Sequence, residues 1–221
     1  MTTVISAILS LLLIAAGYAY VCHYLKGLPW NERSVSVLEL TPGKLAYCVA
    51  AVITAAVLIA LFELLYQLPL LQQLKLLFLV MTLFPAAAID RKTQKIPNKL
   101  LLASLVLRCI LLAAEVAVSP AKGLAAAKNG LLGAVVIGVF FLLLLLIFKN
   151  SIGMGDVKLF ALMGLYQGLW GVINSVFFSL VVSLFAAIIL LIAKKKGRKD
   201  TMSFGPSILV GTVIAMAVAG M

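Results

Sequence analysis

Two acidic residues stand out because of where they fall. Asp156 lies in NSIGMGDVKLF, residues 150–160, between an apolar run that ends at Phe148 and another that starts at Val157. Asp90 closes a second apolar run, in PAAAIDRKTQKIPN. Of the seven acids in the chain, Glu32, Glu39 and Asp200 fall in basic loops, and Glu63 and Glu115 fall near the opposite ends of their runs, where water is expected to solvate them. Asp90 and Asp156 therefore sit at one depth. An ionisable group in a membrane span costs about 2.5 to 3.5 kcal/mol at the helix centre and less at the rim, and it faces the protein interior. Two carboxylates brought together there do not both ionise easily, so they share a proton and titrate as a coupled pair. Such a pair can run acid–base hydrolysis with neither a metal nor a covalent intermediate.

Each residue also has a plainer reading. Asp156 can cap a helix beginning at Val157, where the free amides and the helix dipole favour a negative charge. Gly153 and Gly155 weigh against a cap alone. A cap needs one glycine at most, whereas two of them open backbone conformations closed to other residues and let a neighbouring chain approach. Asp90 is on its own a juxtamembrane charge beside Arg91 and Lys92. Pro97 ends the basic loop, and Asn98 can cap the helix after it. Lys158 can hold a substrate carbonyl or extend to the membrane rim.

The elements that must position these residues are transmembrane helices. The chain has 221 residues, of which 64% are hydrophobic and 11% charged, against roughly 25% charged residues in soluble domains. Its mean hydropathy is +1.20. The reading is an all-α polytopic membrane bundle, one domain over residues 1–221, with about eight spans near residues 3–24, 45–66, 70–89, 99–118, 129–148, 156–171, 172–193 and 204–220. The sixth and seventh spans meet at YQGLWG, residues 166–171. A re-entrant segment there would invert the last two spans, and two true spans are preferred.

The formal charge of +11 describes topology, not nucleic-acid binding. With these spans, fourteen of the eighteen basic residues fall on one side and three, Lys75, Lys122 and Lys128, on the other, leaving Arg108 mid-span. The excess of Lys and Arg marks the cytoplasmic side, so both termini face outward and both aspartates lie at the cytoplasmic rim. The run Lys194–Lys199 anchors that topology at an anionic membrane face. Arg108, mid-span, is a functional candidate by default, and its plainer reading is a bridge between helices with Glu115 two turns away. His23 reads as interfacial. The first span lacks a basic n-region and a cleavage site, so it reads as an anchor and not a signal peptide. Cys22, Cys48 and Cys109 form no CxxC pair and read as packing residues.

In order, the motifs are an Asp ending a span, a basic loop with Ile96-Pro97-Asn98, the GMGDVKL segment Gly153–Leu159, and Phe204-Gly205-Pro206 before the last span. This combination resembles the type IV prepilin leader peptidases, membrane-embedded aspartyl proteases of the GxGD type, over residues 70–221. The resemblance implies a peptidase core there, Asp90 and Asp156 as the catalytic pair, Gly153 and Gly155 as the active-site loop, and Pro97, Asn98, Lys158, Gly205 and Pro206 in supporting or substrate-binding roles. It implies prepilin or pseudopilin substrates with a basic leader and an apolar helix, cut at the cytoplasmic face of a bacterial inner membrane. Larger members carry a cysteine-containing methyltransferase domain in the first cytoplasmic loop. Residues 25–44 contain no cysteine and are too few for that fold. The expectation is therefore a peptidase-only form that uses neither S-adenosylmethionine nor zinc, nor any other cofactor. One tension is that basic loops surround the pair, so a basic leader needs acids or lipid headgroups between. An ion-coupled transporter or channel subunit is the alternative from another class, but such carriers show paired repeats and midplane acids. A non-catalytic component of a pilus or secretion assembly is a second.

Overall fold

The computed structural model describes residues 2–26, 40–147, 153–193 and 203–220. The first basic loop, Lys149 and the run Lys194–Lys199 lie outside the described residues. Seven helices follow in order. They are α1 (Thr2–Lys26), α2 (Leu40–Ala60, continued by a π-helical turn Leu61–Leu65), α3 (Leu70–Thr93), α4 (Asn98–Val118), α5 (Pro120–Ile147), α6 (Met154–Ile192) and α7 (Gly205–Ala219). No strand occurs among the described residues. Six helices are long and apolar enough to cross a membrane, and α7 is a shorter apolar helix. The expected all-α polytopic bundle is what the chain forms.

The sixth helix is broken. Gly168 takes φ +75° and ψ −177°, outside the helical region, and glycine reaches that φ without steric cost. Two contacts show that the halves fold back on each other. The rings of Phe160 and Phe204 lie 5.8 Å apart, while Ser179 Oγ donates to Ile208 O at 3.4 Å. Along one straight helix Phe160 and Ser179 would be about 28 Å apart, yet Phe204 and Ile208 are separated by only about 6 Å of α7. Gln167 Nε2 likewise donates to Ser175 Oγ at 2.8 Å across the turn. We call the halves α6a (residues 154–167) and α6b (residues 169–192). The turn falls inside the YQGLWG boundary where the sequence divides its sixth and seventh spans, and the described residues form eight helical segments. Residues 154–167 and α7 would each rise only about 20 Å, less than the roughly 30 Å hydrocarbon core.

The largest boundary difference is in the fifth span. The fifth span, expected from residue 129, begins at Pro120. Proline suits the first helical turn, whose amides have no intrahelical partner, and KGLAAAK offers nothing that breaks a helix. Gly123 closes the connection: a Cβ there would meet the Val116 backbone at 2.6 Å.

The core forms around α3, whose best span window is 72% buried against 17–28% in the other five. Leu76, Leu79 and Leu83 of α3 pack with Leu58 and Phe62 of the second helix and its π turn, Phe160 and Met163 of α6a, Val172 of α6b, and Ile208 of α7, while Ile89 of α3 packs with Val21 and Leu25 of α1. The two helices bearing the aspartates thus end in the same protein-enclosed interior. Small residues bring α5 and α6a together, since a Cβ on Gly164 would lie 2.5 Å from Ala134 N. Helices in lipid associate through such close packing and polar contacts, because the surrounding hydrocarbon is as apolar as the side chains.

Candidate active site

Asp90 lies in the last turn of α3, which ends where Gln94 turns left-handed and donates its N–H to Asp90 O at 2.8 Å. The side chain is buried, 5% exposed. Its Oδ2 accepts the Gly205 N–H at 2.8 Å. The Phe204 amide also faces the carboxylate, so the amino end of α7 points at Asp90. Free amides and the helix dipole favour negative charge at such an end. Gly205 is needed sterically: a Cβ would come within 2.9 Å of both Asp90 Cβ and Oδ2. Pro206, in the first turn of α7, has no N–H to lose where none would be paired.

Asp156 belongs to the first turn of α6a. The helix begins at Met154 and not at Val157, with Gly153 as its N-cap and Asp156 N–H donating to Gly153 O at 3.0 Å. The plainer reading of Asp156 as the cap of this helix does not hold: Asp156 is the third helical residue, and its carboxylate reaches back to the Gly153 amide. That return contact resembles the acidic half of a capping box. Asp156 Oδ1 is buried with no hydrogen-bond partner among the described residues. Asp156 and Asp90 are close enough to interact electrostatically.

The glycines work by space and not by conformation. Gly153 has φ −74° and ψ 139° and Gly155 is helical, both open to other residues; among the described glycines only Gly168 and Gly220 have positive φ. A Cβ on Gly153 would lie 3.3 Å from Asp156 Oδ2, and one on Gly155 would lie 3.1 Å from Ile96 Cβ. Gly155 thus admits the Ile96-Pro97-Asn98 segment against the start of α6a. The expectation of glycine-only backbone angles is corrected, and close approach is the part that holds.

Asn98 does not cap α4. Pro97 occupies the N-cap position with φ −71° and ψ 127°, and Asn98 Oδ1 instead accepts Lys158 Nζ at 3.0 Å. Lys158 is two residues beyond Asp156, about 200° around the helix, so it points away from the carboxylates. It borders a largely apolar groove of about 500 Å³ lined by Leu101 and Leu105 of α4, Ala134 of α5, and Ala161 and Leu162 of α6a. Lys158 and Asn98 therefore join α4 to α6a on the far side from the pair.

Further polar residues, away from the pair, bind the same helices. Arg108 Nη1 lies 3.1 Å from Glu115 Oε2, as expected, and Lys75 Nζ is 3.9 Å from Glu115 Oε1. Glu115 is buried, 9% exposed, and not solvated as its position suggested; its partners reach it from α3 and from within α4. Arg108 Nε also donates to Leu165 O at 2.8 Å. Tyr166 OH donates to Ser104 O at 2.7 Å, and Ser104 Oγ lies 3.1 Å from Thr82 Oγ1. Asn129 Oδ1 accepts the Leu169 N–H at 3.2 Å beside Gly168. Sequence reasoning missed Thr82, Ser104, Asn129 and Tyr166. Isolated polar residues in apolar runs were the available signal.

The profile of the type IV leader peptidase family matches residues 77–192, which include both aspartates. A prepilin leader peptidase/N-methyltransferase from Bacillus subtilis is 29% identical over 129 residues, covering 58% of this chain and 49% of that protein. The chain thus spans about half the length of the curated relative it matches. No solved structure gives a significant match.

Proposed function

The chain belongs to the type IV leader peptidase family, and from that premise we propose that it is a membrane-embedded aspartic endopeptidase with Asp90 and Asp156 as its catalytic pair. The observation that carries the proposal is the meeting of these two carboxylates from separate helices, within electrostatic reach of each other and held against the amides of Gly205 and Gly153. Fixed amides orient the carboxylates without reorganisation during reaction.

In the proposed reaction the ionised carboxylate takes a proton from water as the water oxygen attacks the scissile carbonyl carbon. The protonated partner donates its proton to the carbonyl oxygen, giving a neutral gem-diol. Collapse breaks the C–N bond: the pair gives its proton to the leaving amine nitrogen and takes one from a gem-diol hydroxyl, whose oxygen becomes the carbonyl of the new carboxylic acid, so the pair returns to one shared proton. The substrates proposed are prepilins or pseudopilins, whose basic leader precedes an apolar helix. That helix would lie in the bilayer with the scissile peptide at the aspartate end of the bundle. The excess of basic residues in the loops at that end supports a cytoplasmic face in a bacterial inner membrane.

Co-expression with a prepilin tests this. Asp90→Asn and Asp156→Asn should each abolish leader removal, read as a mobility shift of the pilin, while folded enzyme stays at the unmutated level. Complete cleavage by either variant refutes the pair.

A further inference from the structure

α6a carries Asp156 at one end and breaks at the other. In an unbroken helix the Leu169 N–H would return to Leu165 O. At the Gly168 break it goes instead to Asn129 Oδ1, and Leu165 O accepts Arg108 Nε at 2.8 Å. Arg108 is buried, 4% exposed, and its guanidinium is steered by Glu115 at 3.1 Å and lies 5.9 Å from the centroid of the Tyr166 ring. A cation at the carboxyl end of a helix meets both the free carbonyls and the negative end of the dipole. One turn away, Tyr166 OH is bonded to Ser104 O, and Ser104 Oγ to Thr82 Oγ1. A continuous buried polar tie therefore runs from α6a through α4 to α3.

The two ends of this tie sit at matching distances from the two aspartates. Thr82 precedes Asp90 by eight residues on α3, and Tyr166 follows Asp156 by ten on α6a. These correspond to helix rises of about 12 Å and about 15 Å. α3 runs toward the aspartate end and α6a runs away from it, so both lengths are measured from one level toward one end.

We propose that the polar tie centred on Arg108 and Tyr166 sets the relative height of α3 and α6a, and so brings Asp90 and Asp156 level; Arg108 is a positioning residue. Apolar burial is non-directional, whereas a guanidinium on one carbonyl and a hydroxyl on another admit one register. In lipid, losing such a bond leaves a buried group unsatisfied, with no water to replace its partner. The consequence for catalysis rests on the peptidase reading above. The consequence for helix register does not.

The experiment has two arms. Spin labels are placed at Lys92→Cys and Met154→Cys, in a background with the three native cysteines replaced by alanine, and the interlabel distance is measured in liposomes. Arg108→Leu should broaden the distribution and move its centre by about 2 Å or more, on the order of one residue's rise; Arg108→Lys should restore much of it. Cleavage kinetics per folded enzyme form the second arm. There kcat should fall on the order of 10- to 100-fold with KM within about threefold, and the pH profile of cleavage should change. An unchanged distance distribution overturns the proposal, as does lower thermal stability with kcat and pH profile unaltered. If Arg108→Leu does not fold, Tyr166→Phe takes its place, with the same signs expected and the same results overturning it. Should the unmutated protein cleave no prepilin, the peptidase reading fails while the distance arm still decides the register.

Discussion

Gly205 donates its backbone N–H to Asp90 Oδ2 at 2.8 Å, across 115 residues of chain. This bond places the amino end of α7 on a carboxylate at the end of α3, and it leaves no room beside it. Gly205→Val should lower leader cleavage on the order of 100-fold, since a Cβ at 2.9 Å from the carboxylate must push it away and displacement of a reacting group by about 1 Å has that effect. Gly205→Ala should show an intermediate loss. Cleavage assays on enzyme quantified by gel filtration check both, and normal turnover by the valine variant would refute the steric account.

Gly155→Val is expected to impair cleavage more than insertion. The helical backbone at this position accepts valine, so the loss should come from contact with Ile96, 3.1 Å from the added Cβ. That origin makes a compensating change available. Ile96→Gly in the same molecule, which removes the atom met, should recover a substantial part of the activity. Failure of the double variant, with Gly155→Val itself well folded, would show that the glycine serves something other than this contact.

Glu115 holds two cations, Arg108 at 3.1 Å and Lys75 at 3.9 Å. Glu115→Leu leaves both without their carboxylate, and breaking a buried pair from one side costs about 3 to 5 kcal/mol. Thermal unfolding in detergent should show a large fall in midpoint. Pairing Glu115→Leu with Arg108→Met should recover part of it, because Lys75 alone is then left without its carboxylate partner. A midpoint for the single variant equal to that of the unmutated protein contradicts the burial.

Only thirteen residues separate α1, ending at Lys26, from α2, starting at Leu40, and no cysteine lies among them. Purified enzyme incubated with a prepilin should release a mature product whose N-terminal amine is unmodified, with or without S-adenosylmethionine. Intact-mass measurement separates the outcomes. A cofactor-dependent gain of one methyl group, produced by this chain alone, would show that the short connection does more than join two helices.

The sequence by itself determined the class of fold and the residues worth watching. Continuous apolar runs without charge can bury their backbone polar groups in lipid only as helices, so an all-α membrane bundle follows from composition. Two acids at one depth, in a chain with only seven, mark themselves by the cost of placing them there. Even the division near Gly168 was legible, because a glycine flanked by Tyr166 and Trp170 interrupts an otherwise unbroken run. Tertiary structure decided the rest. That α6a starts at Met154, making Asp156 its third residue and not its cap, and that the Ile96 segment packs against Gly155, appear only in the folded chain. That Glu115 is buried depends on Lys75 arriving from another helix. That Lys158 faces away from Asp156 follows from helical rotation once the helix start is known. Sequence patterns report the transfer of a side chain from water to lipid, a property of one residue and its neighbours. Which carbonyl a buried Arg108 caps, and which amide meets Asp90, depends on side chains distant in the chain reaching one point together.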